Sequence, residues 1–196
     1  MPITIITGPP GAGKTTVSGL MARRQALAVH LVGDQFFHWI CSGYVPPWMP
    51  GTGQQNRAVV EAMASASARF AAAGYEVFVD AIVGPWFLPR WQAAAELQDP
   101  LRYVILRPSR EVAASRAVNR SGPDDLVDPE PVAKMFEAFS DLGVFEAHVV
   151  DTTNETADQT VLTVERGILA GHYLLPSDGR SDEERLASKF GIDLSH

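Results

Sequence analysis

Five short stretches of the chain, Ile3 to Thr7, Ala28 to Val32, Glu76 to Asp80, Arg102 to Leu106 and Ala147 to Val150, are almost continuously apolar and have the length of strands. Unbroken apolar runs suit strands buried on both faces, and the helix-period segments between them are the crossovers that parallel neighbours need. The pattern predicts an α/β fold, a five-stranded parallel sheet with helices on both sides.

The helices carry readable ends. Thr52 with Gln55 forms a capping-box pattern ahead of a helix whose Val59, Met63, Ala66 and Phe70 share one face, and Gly74 stands where a left-handed residue closes a helix. Ser109 caps a later helix that Gly122 closes. Asp128 before Pro129 reads as an N-cap with proline at the first helical position, and Gly143 ends that helix near Leu142. Thr156 with Gln159 starts the last helix on the sheet. Two stretches break the alternation. Residues 36–53 hold three prolines and three glycines among aromatics, too long for a plain connector and typical of a functional loop. The tail from Pro176 suggests a short helix from Ser181 to Phe190, closed by Gly191. The expected organisation is one domain over residues 1–172 and a tail over 173–196.

Composition narrows the function. Hydrophobic residues at 46% and charged residues at 20% are ordinary for a globular domain with a substantial core. A net charge of -7 argues against a surface that holds long nucleic acid, which needs a basic face, but leaves room for a small anionic ligand in a local positive pocket. Cys41 is the sole cysteine, so there is no disulfide framework or thiolate zinc cluster, and a reducing cytoplasm fits. No apolar run approaches the length of a membrane span, and no basic leader precedes the first strand.

The chemistry is announced directly after the first strand, where Gly8-Pro9-Pro10-Gly11-Ala12-Gly13-Lys14-Thr15 completes a G-x-x-x-x-G-K-[ST] phosphate loop, followed by Thr16. Glycines let backbone N–H groups turn around an anion, the next helix offers its positive N-terminus, Lys14 reaches the β and γ phosphates, and Thr15 ligates Mg²⁺. Lys14 is also the only lysine before Lys134. ATP and Mg²⁺ are the expected ligands. Residues just after the strands of a parallel sheet are the next candidates. Asp34 follows the second strand, placed as a base for an attacking hydroxyl, a holder of metal-bound water, or a helix cap. Asp80 ends the third strand and fits the outer ligand shell of Mg²⁺ or a turn. Arg116 and Arg120 are four apart, so both guanidinium groups share one helical face, as a phosphate clamp or a solvated surface. The following residues 121–128, rich in Gly, Pro and Asp, read as a lid.

All four tryptophans, Trp39, Trp48, Trp86 and Trp91, follow the second or third strand. With Phe36, Phe37, Tyr44 and Phe87 they suit an aromatic wall around an acceptor, or the packing of a lid or a homodimer surface. His38, Trp48, Gln55, Arg57 and Trp86 are the candidate acceptor contacts.

These residues resemble the small P-loop kinases, among them adenylate, shikimate and gluconate kinases and chloramphenicol phosphotransferase, over about residues 3 to 170. Gly8 to Thr16 matches their phosphate loop, Asp34 falls where gluconate kinase and chloramphenicol phosphotransferase carry an acidic residue near the acceptor, and Asp80-Ala-Ile-Val-Gly-Pro looks like their segment after the third strand. Arg116 and Arg120 look like the lid-helix pair, one on adenine and one on phosphate, and Asp151-Thr152-Thr153-Asn154 resembles the adenine-edge loop. The resemblance implies a P-loop NTPase three-layer α/β/α fold with strand order 2-3-1-4-5. Two departures matter. Ala81-Ile82-Val83 replaces the glycine triplet of shikimate kinase, and Val32 its second acid, which points away from shikimate. Pro85-Trp86 stands where adenylate kinase has an arginine, which removes a clamp for nucleoside monophosphate. The expectation is an ATP-dependent kinase acting on a small-molecule hydroxyl, with a nucleotide or polynucleotide-end kinase, served by Arg57, Arg69 and Arg90, and an ATP-dependent switch without acceptor as alternatives. No Asn-Lys-x-Asp motif for reading guanine is present.

Overall fold

The computed structural model describes residues 1–95, 101–118 and 129–175. Its strands are β1 (Ile3–Thr7), β2 (Ala28–Val32), β3 (Glu76–Asp80), β4 (Leu101–Leu106) and β5 (Val149–Val150), all parallel, in the order β2-β3-β1-β4-β5. This is the P-loop NTPase α/β/α fold. The helices are α1 (Lys14–Arg23), α2 (Gly33–His38), α3 (Gly53–Ala72), α4 (Leu88–Ala95), α5 (Arg110–Val118), α6 (Pro129–Ala138) and α7 (Ala157–Leu169).

Continuous apolar runs form strands here because each face has its own core. Ile3, Ile5, Val77, Val79, Tyr103 and Ile105 pack with Val59, Val60 and Met63 of α3 and Trp91 of α4. The alternate residues Ile6, Phe78, Val104 and Leu106 pack with Val17 and Met21 of α1 and Val161 and Val164 of α7. The two-residue period thus sends every second side chain to the opposite layer.

Several helix ends differ from the sequence pattern. Thr52 does not cap α3: its hydroxyl donates to the carbonyls of Pro47 and Met49, and the Gln55 amide is taken up by Val45. The loop backbone competes for the same side chains and wins. α6 stops at Ala138 rather than near Leu142, because Phe139 turns into the core and its carbonyl accepts from Arg107. Gly143, with φ of 59°, instead opens a 3₁₀ turn over Gly143–His148. That turn shortens β5 to two residues, since the His148 ring is buried beside Tyr103 and Phe145 and its Nδ1 pairs with the Tyr103 carbonyl oxygen. Two other ends follow the pattern: Gly74 is left-handed at 94°, and Ser109 accepts from the Val112 N–H, while Gly122 and Asp128 lie outside the described residues. At α7 both halves of the Thr156–Gln159 capping box are made. Thr156→Ala is expected to destabilise the protein by about 1 kcal/mol, read from the urea midpoint at unchanged slope. Residues 119–128 and 176–196, with the expected lid and tail helix, lie outside the described residues.

Candidate active site

The phosphate loop runs from the end of β1 into α1. Gly8, Gly11 and Gly13 have φ of 141°, 80° and 92°, values that L side chains rarely adopt. Gly8 and Gly11 are also sterically required, because a Cβ would strike the carbonyl oxygens of Leu106 at the end of β4 and Ala113 in α5. The loop is thereby clamped between two elements. Pro9 and Pro10 complete its first turn, closed by the Ala12 N–H donating to the Pro9 carbonyl at 3.2 Å. Lys14 is buried at 7% exposure, and its ammonium donates to the carbonyls of Gly8 and Pro9, both at 3.1 Å. Thr15 and Thr16 are exposed on the first turn of α1.

Asp80 ends β3 at 4% exposure, in register with Ile6 and Val32. Sharing the parity of Phe78, it projects from the sheet face that α1 covers, the side on which Lys14 and Thr15 begin that helix. A buried ammonium over a glycine loop and a buried carboxylate on the same face are the donor set that a magnesium nucleotide requires, so the residues fit that group.

The segment after Asp80 is held by two side chains the sequence pattern did not reveal. Thr7 Oγ1 accepts from the Val83 N–H at 2.9 Å, and the Tyr103 hydroxyl donates to the Val83 carbonyl at 2.7 Å. Both backbone groups of one residue are therefore fixed by β1 and β4. Burial pushes the Tyr103 phenol well above its ordinary range, so it stays a donor. Tyr103→Phe is expected to cost about 1–3 kcal/mol, because it leaves the Val83 carbonyl buried and unpaired; chemical denaturation measures it.

Asp34 is exposed in the first turn of α2, and Val32 occupies the cap position, so Asp34 is not the cap of that helix. Gly33 beside it packs against the Asp80 carbonyl, Ala81 and Met63, which sets the start of α2 next to the end of β3. His38, four residues after Asp34 on the same helical face, is exposed.

The tryptophans do not form one wall. Trp91 is fully buried and Trp86 is 7% exposed with its ring near Phe87 and Phe139, so these two build the core. Trp39, at 66% exposure, and Trp48, at 39%, remain on the surface. The polar residues expected to meet an acceptor are mostly engaged: Gln55 holds Val45, and Asn56 donates to the Pro47 carbonyl. Arg57 is half-buried on α3. Phe36, Trp39, Ile40, Ala58, Val59 and Ala62 line an apolar groove of about 190 Å³ between α2 and α3.

A larger groove, about 350 Å³, lies at the carboxyl ends of β4 and β5, lined by Arg107, Ser109, Phe136, Ser140, Asp151 and Thr153. Its walls are cross-linked by hydrogen bonds. Arg107 makes a two-pronged pair with Glu146, and Thr153 accepts from the Ser109 N–H while its own N–H donates to Asp151. The Thr153 hydroxyl and N–H hold the Asp151 carboxyl below the usual carboxylate range. Arg116 reaches the Thr152 carbonyl at 3.5 Å; Arg120 lies outside the described residues.

A family model described as an AAA domain matches residues 4–138. No curated protein matches the chain significantly. Among solved structures the chain is similar to a sugar kinase from Janibacter sp., at 17% identity and a TM-score of 0.64, covering 86% of this chain and 94% of that one. It is also similar to the tunicamycin resistance protein of Deinococcus radiodurans, at 17% identity and a TM-score of 0.62, covering 89% and 98%. Shikimate kinase from Acinetobacter baumannii in complex with shikimate follows at 16% identity and 0.57, covering 87% and 93%. At such identities the likeness is one of fold.

Proposed function

The chain belongs to the AAA domain family, and from that premise we propose that it transfers the γ phosphate of ATP to a hydroxyl of a small molecule. The observation that carries the reading is Lys14, a buried ammonium held over a glycine loop whose backbone is wedged between β4 and α5. A cation kept out of water at an anion-binding loop serves charge that develops during reaction. The structural neighbours, a sugar kinase, a shikimate kinase and a tunicamycin resistance protein, support a small-molecule acceptor.

In this reading the backbone of Gly8 to Gly13 would direct N–H groups at the phosphates, Lys14 would neutralise their charge, and Arg116 with Arg120 would form the nucleotide clamp. The groove of Ser109, Asp151 and Thr153 takes the base. Thr15 and Asp80 hold magnesium, which when bound neutralises the phosphate oxygens. Asp34 accepts the proton of the attacking hydroxyl as its oxygen bonds to the γ phosphorus and the bond to the β-bridging oxygen breaks, releasing ADP. His38, on the Asp34 face of α2, and Arg57 border the acceptor. Trp48 sits at the loop rim, and Gln55 and Trp86 support the acceptor region from beneath.

The test is ATP turnover with a panel of sugars, nucleosides and hydroxylated antibiotics, chosen first by thermal shift in the presence of a non-hydrolysable ATP analogue. A strong rise in ADP release with one alcohol, and label transferred to it, supports the reading. Turnover indifferent to every alcohol points to a nucleotide-dependent switch, and transfer to nucleotide or polynucleotide ends to the other kinase class.

A further inference from the structure

Asp80 has a neighbour that the proposed reaction does not employ. His30 stands in β2, where register pairs it with Phe78, two residues before Asp80 in β3. Diagonal neighbours on paired strands lie on one face and within reach of long side chains, so His30 and Asp80 both project toward α1. Nε2 of His30 stops 3.9 Å from Oδ2 of Asp80. The opposite edge of the ring rests against α1: a Cβ at Gly19 would lie 3.4 Å from both Cε1 and Nδ1.

Nε2 is buried and has no hydrogen-bond partner among the described residues, in a setting where an unpaired ring nitrogen is unfavourable. The Asp80 carboxylate is an acceptor about 1 Å beyond normal hydrogen-bonding distance. A bond from Nε2–H to Oδ2 would leave Oδ1 free for a metal ligand role. Carboxylates around metal ions are oriented by such outer partners, whose loss typically weakens metal binding by about 10–100-fold.

We propose that His30 is a positioning residue for Asp80, holding one carboxylate oxygen so that the other faces the magnesium site. The proposal rests on the kinase reading of Asp80. It uses His30 as a hydrogen-bond donor with a fixed direction, and it gives a polar residue in the middle of an apolar strand its reason for being there.

The experiment is calorimetric titration of ADP into wild type, His30→Leu and His30→Gln, each with Mg²⁺ and with EDTA, alongside melting temperatures. Leucine fills the ring's space without a donor, and glutamine returns a nitrogen close to the Nε2 position. His30→Leu is expected to weaken ADP binding in Mg²⁺ by about tenfold, leave binding in EDTA unchanged, and be largely rescued by His30→Gln. Equal weakening in both buffers, no weakening in either, or a glutamine variant that melts like wild type yet fails to rescue would overturn the proposal. Should the leucine variant not fold, His30→Asn, whose amide falls short of Oδ2, takes its place in the same comparison. A wild type that binds ADP without any gain from Mg²⁺ removes the role of His30 alone, and one that binds no ADP at all removes the kinase reading as well.

Discussion

Lys14→Ala is expected to lower phosphoryl transfer by about a hundredfold or more while the fold survives. In the structure Lys14 is 7% exposed and its ammonium donates two hydrogen bonds to the carbonyls of Gly8 and Pro9. On the proposed reading its removal takes away the cation that meets developing negative charge on the phosphates. The cost to stability is smaller, about 1–2 kcal/mol, because relief of the buried charge's desolvation offsets part of the penalty of leaving the Gly8 and Pro9 carbonyls without their donor. Radiometric transfer assays and circular dichroism melting measure the two effects on one sample. Full turnover in a well-folded alanine variant would remove the nucleotide chemistry from this loop.

Asp34→Asn is the second large effect, expected to slow single-turnover transfer by about a hundredfold or more with little change in nucleotide affinity. The amide keeps the side chain's shape but takes no proton. Its position predicts a mild structural consequence: Asp34 is exposed in the first turn of α2, where the loss of a charge near a helix N-terminus costs about 0.3–1 kcal/mol. Rate and stability are thus well separated. Near-equal single-turnover rates for the two proteins, measured with an identified acceptor, would leave Asp34 as a surface residue of α2.

The features legible in the sequence are those whose signal is local. Continuous apolar runs located β1, β2 and β3 to the residue, and Thr156 and Gln159 located the start of α7, because strand burial and capping act over a few neighbouring positions. The phosphate loop was readable for the same reason. The features that escaped depend on a distant partner. Thr52 and Gln55 present a capping-box spacing, but whether they bond to their own helix or to Val45 and Pro47 is decided by how the loop folds back. Trp86 and Trp91 share a sequence neighbourhood with exposed aromatics, and only packing on Phe139 and on α3 sends them inside. Tyr103 and Thr7 meet Val83 across 20 and 76 residues of chain, a separation no periodicity records. His30 had a faint signal: it is the single histidine inside an otherwise apolar strand, at the parity of Asp80 once β2 and β3 are aligned.

The reciprocal hydrogen bonds between Gln55 and Val45, and those from Thr52 to Pro47 and Met49 and from Asn56 to Pro47, fasten the irregular loop to the first turn of α3. Positions 45–56 are therefore wired together as one cassette. Such a cassette can diverge quickly, because exchanging it whole preserves every bond that shapes it, whereas altering the loop or the helix start singly strands a polar group. Relatives that keep the phosphate loop but differ in acceptor are then expected to differ across this stretch as a block, and grafting it intact between scaffolds is the natural route to transplanting specificity.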